Sequence, residues 1–174
     1  MASMLQLSSM LLDRPVMSLR TGTQVASTVA AIINPNNLKV EGFYCQDNVS
    51  RRQLVLLSQD IRDILPQGVV VNDHDVLSEP DELVRLHKVL ELSFELLGKH
   101  VVTTAGHKVG KVNDYAVDTS GMFVQKLYIT QSLFKSLAGG NVGIDRSQIV
   151  EITDKKIVIH DTLQKVPAAA RAVA

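Results

Sequence analysis

Tryptophan is absent from this chain, cysteine occurs once, and aromatic residues make up 4% of it. The lone Cys45 excludes a disulfide within the chain and fits a reducing compartment. It shares strand parity with Phe43, so it reads as a small core hydrophobe. With so few aromatics, sequence-specific stacking on single-stranded nucleic acid has little support. Net charge is lacking too. Eighteen basic residues balance eighteen acidic ones, so no overall field draws in nucleic acid or an anionic membrane, although local patches are allowed. No stretch approaches the ~20 apolar residues of a membrane span. The opening MASMLQLSSMLLDRP lacks the basic start and long apolar run of a signal peptide. A cytoplasmic chain without an integral membrane segment is expected.

What is present is strand-forming sequence. Forty-five per cent of the 174 residues are hydrophobic, enough for one medium domain or two small ones. Lys108 to Thr130, KVGKVNDYAVDTSGMFVQKLYIT, reads as two strands around the turn Thr119-Ser120-Gly121, with Gly121 supplying the positive φ. Phe123, Leu127 and Ile129 share one parity and are expected to face a core. Val124, Lys126, Tyr128 and Thr130 are expected mostly in water. In the first strand Val112 is even while Tyr115 and Val117 are odd, and a bulge near Asn113 restores the phase. Gly110 suits a bend or a close backbone approach.

A worn copy of this pattern lies nearer the N-terminus. Leu11, Leu12 and Val16 match Leu96, Leu97 and Val101 at a spacing of 85; Gly22, Val25, Val40 and Tyr44 match Gly106, Val109, Val124 and Tyr128 at 84. Ile61, Ile64, Val70 and Asp73 match Ile149, Ile152, Val158 and Asp161 at 88. The turn Asn34-Pro35-Asn36-Asn37 falls over Asp118 to Gly121. Ordered matches with slips confined to loops mark an internal repeat. Each copy reads as about six short strands. Each copy spans ~65–75 residues, so a small closed barrel without free edges is favoured. The expected organisation is a flexible leader over 1–9, a barrel over 10–77, a linker helix within 78–95, a second barrel over 96–163 and a mobile tail over 164–174. In the linker Ser78 reads as N-cap with Asp81 completing a weak capping box, and Pro80 fits a first turn. Leu83, Leu86 and Leu90 form one stripe, which predicts a helix from about Pro80 to Leu92 packed on one or both barrels.

The residues Gly106-x2-Val109-Gly110-x-Val112-x-Asp114-x2-Val117-Asp118, then Val124-x2-Leu127-Tyr128-Ile129, then Ile144-Asp145-x3-Ile149-x-Glu151-Ile152 resemble the PRC-barrel family. The resemblance is good over Leu96 to Leu163. Over Leu11 to Leu77 it has drifted: Ala26 stands in place of Gly110, and Ala30 and Asn34 in place of Asp114 and Asp118. It implies a mainly β fold of two tandem small six-stranded PRC-type barrels joined by a short α-helix. The family takes its name from the photosynthetic reaction centre H subunit and includes the C-terminal domain of a ribosome maturation factor. The membrane helix of the first and the different N-terminal barrel of the second have no counterpart in this sequence, and neither task is inherited with the fold.

Chemical motifs are weak. Gly106-His107-Lys108-Val109-Gly110-Lys111-Val112 is one spacer short of a phosphate loop, lacks the Ser or Thr for magnesium, and leads into a strand. His74, His87, His100, His107 and His160 are scattered without zinc spacing. Asp114 and Asp118 read as structural hydrogen-bonding residues rather than an acid–base pair, and Asp145-Arg146-Ser147-Gln148 as an Asp-initiated turn. No enzyme activity, metal or cofactor is expected. The function expected is a non-enzymatic binding or adaptor protein with a protein partner; a homodimer is compatible with the sequence. Its better-kept second copy would bind while the first stabilises. The alternative is an RNA- or ribosome-associated assembly or processing factor. Candidate contact residues for a macromolecule are Arg51, Arg52, Lys108, Lys111, Lys126, Tyr128 and Lys135.

Overall fold

Valine, isoleucine and aromatic side chains alternating with polar ones build fourteen strands in the computed structural model, which describes residues 4–131 and 141–161. They pack as two units. The first takes the residues up to Glu95 together with Asp114–Gln125; the second takes Leu96–Asn113 together with the residues from Lys126 onward.

In the first unit lie β1 (Leu5–Leu7), β2 (Pro15–Ser18), β3 (Gln24–Asn34), β4 (Lys39–Asp47), β5 (Gln53–Leu57), β6 (Ile61–Leu65), β7 (Gly68–Val71) and β8 (Leu77–Ser78). The ladder order is β6-β7-β2-β3-β4-β5-β8, and only β2 and β7 run parallel. Val16, Val40, Phe43, Cys45, Val55 and Leu56 are fully buried in its core. The second unit holds β9 (His100–Thr103), β10 (Lys108–Asp118), β11 (Phe123–Gln131), β12 (Asn141–Asp145), β13 (Ile149–Ile152) and β14 (Lys156–Ile159), with the outer parts of β10 and β11 belonging to the first. Its order is β13-β14-β9-β10-β11-β12, with β9 and β14 parallel. Leu127, Ile129, Ile144, Ile157 and Ile159 are fully buried there.

Irregularities recur at the repeat spacings. The β2–β3 register slips at Val25 and the β9–β10 register at Val109; β6–β7 slips at Arg62 and β13–β14 at Val150. The expected phase break in β10 is present: Val112, Tyr115 and Val117 are all buried, and β3 slips against β4 at Val29, 84 residues before Asn113. Gly110 is a close approach, since a Cβ there would meet the Thr130 carbonyl oxygen at 2.1 Å.

Several expectations are corrected. The strands do not close into cylinders. The far edge of β5 is taken by β8, with Val55 opposite Ser78 and Leu56 opposite Leu77; among the described residues β12 pairs with β11 alone. In the first unit a bridge from Phe123 to Lys39 carries the hydrogen bonding on from β4 to the outer part of β11. Residues expected as a loose leader include β1, which pairs with Ala116–Asp118 of β10. The helix expected over Pro80–Leu92 is broken into two 3-10 turns, Pro80–Glu82 and Val84–Leu86, and a six-residue helix α1, His87–Leu92. Glu79 rather than Ser78 makes the capping box, with Glu82 as its reciprocal partner. The left-handed turn residue is Met122, not Gly121, because the turn closes one residue later, Met122 N–H donating to the Asp118 carbonyl. Val124 is buried rather than exposed, since the inward phase changes between it and Leu127. The tail expected over 164–174 lies outside the described residues, as does Lys135.

Candidate functional site

A cleft of about 790 Å³ opens on the first unit. Its walls are the start of β4, the turn before β6, β6 itself, Arg85–Leu86, the hairpin tip Thr119–Met122, Gln6 of β1 and Met4 just before it. Local structure fixes each wall. Ser58 Oγ donates to the Val40 carbonyl at 2.6 Å, holding the turn to β4. The slip at Arg62 re-aims that side chain, as bulges do, and its Nε donates to Asn72 Oδ1 at 2.7 Å. Lys39 and Glu41 pair at 3.7 Å on one wall. The lining carries cations at Lys39, Arg62 and Arg85, anions at Glu41 and Asp63, and apolar side chains at Met4, Leu57, Ile61, Ile64 and Met122. Such a surface can hold an extended chain by ion pairs and apolar contact.

The groups with shifted protonation lie elsewhere. Asp47 is buried, 2% exposed, at the end of β4. Its Oδ1 meets His74 Nε2 at 2.7 Å, and its Oδ2 accepts from the Ser50 amide at 2.8 Å and the Ser50 hydroxyl at 2.5 Å. Burial alone raises this carboxyl; the Ser50 bonds and the hydrogen bond and charge of His74 outweigh it and hold it well below the usual carboxylate range. The carboxylate stands between serine and histidine, so the imidazole is not placed to take the serine proton as a triad requires. The cluster pins the β4–β5 turn to the turn after β7. Next to it Asp73 accepts from the His74 amide, Ser18 Oγ and Arg20 Nη1. The His74 amide bond leads in lowering its carboxyl, opposed by burial and helped by Ser18 and Arg20. Burial pushes the Cys45 thiol up to about 12. Burial, then the Asp114 charge, raises the Tyr115 phenol.

The Asp47 cluster escapes sequence reading because its partners are 27 residues apart; Asp47-x2-Ser50 is its local signal, an Asp side chain closing its own turn. Asp114 and Asp118 are separate structural acceptors. Asp114 takes the Ser8 amide and hydroxyl, and Asp118 takes the Ser120 amide at 3.0 Å and hydroxyl at 2.7 Å. Asp145 and Gln148 form a reciprocal capping box, a turn begun by Asp145.

Among the described residues, none of the candidate contact residues lines the cleft. Arg51, at φ 61°, and Arg52 occupy the β4–β5 turn of the first unit, and Arg52 Nη1 pairs with Glu79 at 2.7 Å. Exposed Lys108 and Lys111 lie on β10, and Lys126 and half-buried Tyr128 share the outward face of β11. Lys126 stands 3.7 Å from Asp145. Among the described residues no three His, Cys, Asp or Glu converge into a metal cage, and no helix is long and apolar enough to cross a membrane.

A six-strand ladder with one parallel pair and matching bulges is a small β-domain. Residues 90–164 match the family model of the PRC-barrel domain. No curated protein matches the chain.

Proposed function

We propose that this chain is a non-enzymatic binding or adaptor protein of the cytoplasm, built from two PRC-type units, a diverged one over 10–77 and a second over 96–163. The shared ladder order and the bulges recurring at the repeat spacings support the duplication. The observation that carries the binding reading is the 790 Å³ cleft on the first unit. Its three cations, two anions and apolar lining fit an extended protein segment in which acidic and apolar residues alternate. The lining takes Lys39, Glu41 and residues of 57–64 from the diverged copy and Thr119–Met122 from the better-kept one, so this binding surface is not confined to either copy.

The test is affinity capture on the full chain at two salt concentrations, with both protein and RNA identified. A protein captured by the wild type and lost from Arg62→Glu/Arg85→Glu, with the melting temperature kept, supports the cleft. Capture of ribosomal particles that falls steeply with salt and ignores the double variant replaces the adaptor by the RNA-associated reading, since phosphate contacts release counterions.

A further inference from the structure

Leu5-Gln6-Leu7-Ser8 and Leu90-Glu91-Leu92-Ser93 are one motif at the 85-residue spacing, and each leads to a leucine pair, Leu11-Leu12 and Leu96-Leu97. In the first position the motif is a strand. β1 runs antiparallel to β10, with Leu5 opposite Asp118, Gln6 opposite Val117 and Leu7 opposite Ala116. In the second position the same residue types form the end of α1. The family match begins at Leu90 itself, so the motif belongs to the domain.

The edge that receives β1 also has a counterpart. Ile32, Ile33 and Asn34 of β3 stand 84 residues before Ala116, Val117 and Asp118 and run into the same kind of turn. Among the described residues this stretch pairs with β4 alone, since β2 ends its ladder at Ser27. Beside it lies a groove of about 250 Å³ lined by Ala30–Ile33, Val89, Leu90 and Phe94. An edge that holds a strand in one place therefore stands open in the other, next to the segment that the repeat assigns to it.

Helix α1 is weakly specified. Its six residues are far below the about 12–15 that sustain an isolated helix. No side chain caps its start, and it ends on Ser93 at φ 46°, a left-handed conformation that favours glycine.

We infer that the β3 edge at Ile32–Asn34 is a strand-acceptor site whose occupant is the chain's own Leu90–Leu92 segment, uncoiled from α1. In the paired form Leu90 lies opposite Asn34, Glu91 opposite Ile33 and Leu92 opposite Ile32. The exchange trades the hydrogen bonds of one short helix for ladder bonds on an open edge. It does not depend on what the cleft binds.

Nuclear magnetic resonance on the full chain tests it with two variants of opposite bias. Glu91→Thr favours strand at an exposed position, and Ser93→Gly relieves the left-handed helix end. The expected result is that Glu91→Thr moves the Cα shifts of 90–92 from helical to extended, brings backbone Overhauser contacts between 90–92 and 32–34, and slows amide exchange in 32–34 about tenfold or more. Ser93→Gly drives all three the other way. Helical shifts retained in Glu91→Thr, or random-coil shifts without contacts to 32–34, overturn the inference.

Discussion

Leu38 and Met122 are mirror partners in the first unit. Both are left-handed, at φ 59° and 57°. Each closes a turn by donating its amide to a carbonyl four residues back, Asn34 for Leu38 and Asp118 for Met122, both at 2.8 Å. Each then accepts from beyond the other's turn: Val124 N–H donates to Leu38 at 2.9 Å and Val40 N–H to Met122 at 2.7 Å. Both side chains are buried, 4% and 8% exposed. Two unfavourable backbones are thus held by burial and by reciprocal hydrogen bonds.

This arrangement inverts a common order of substitutions. Leu38→Ala loses a buried side chain and keeps the strained backbone, at about 2–4 kcal/mol. Leu38→Gly loses the same side chain but recovers about 1 kcal/mol from the relaxed φ. Urea unfolding is expected to rank glycine above alanine at this position. The reverse ranking, as in an ordinary strand interior, rules out a left-handed Leu38.

Two glycines separate close approach from conformation. A Cβ on Gly42 would meet the Leu56 carbonyl oxygen at 2.4 Å, at the Leu57 end of the β4–β5 ladder. Gly42→Ala is expected to cost about 2–3 kcal/mol as backbone is pushed aside. Gly22, at φ +68°, has nothing within 4 Å of its Cβ site, so Gly22→Ala costs about 1 kcal/mol of strain alone. Thermal melts should order wild type above Gly22→Ala above Gly42→Ala.

The Asp47 carboxyl is held below its unfolded value. Its contribution to stability is therefore complete above the unfolded pKa of about 4 and is lost as pH falls through the folded value. Asp47→Asn is expected to unfold at lower urea than wild type at pH 7, by about 2 kcal/mol for a group that leaves Ser50 and His74 poorly matched. The gap should narrow steadily below pH 4. A gap independent of pH would assign the loss to packing instead of charge.

Cys45 is fully buried, and its thiol is pushed up to about 12. Little thiolate is present near neutrality, and access is closed. A thiol reagent at pH 8 is expected to leave the native protein unmodified for hours and to react completely in denaturant. Fast modification of the native protein would show that β4 opens readily.

The strands were legible because their signals are local and doubled. Phe43 and Leu127, Cys45 and Ile129 are pairwise buried as alternation and spacing require. The phase break at Asn113 was readable from Val112 and Tyr115 alone. What escaped depends on partners distant in sequence. Val124 turns inward because the tip packs within the first unit. Leu5–Leu7 becomes strand because Ala116–Asp118 supplies an edge. The leucine stripe of 83–90 predicts a helix from Pro80 on, yet Glu79 and Glu82 cap a separate turn that ends at Leu83, whose non-helical backbone divides it from Val84–Leu86. The cleft assembles β4, β6, Arg85 and the 119–122 tip, and no window of sequence contains them together.

The first unit borrows Asp114–Gln125 from far along the chain. During synthesis, then, β1 waits for its ladder neighbour and the Leu38 carbonyl for its donor, Val124, until residue 125 has left the ribosome. The N-terminal part should stay protease-sensitive as a nascent chain until that point and gain protection in one late step.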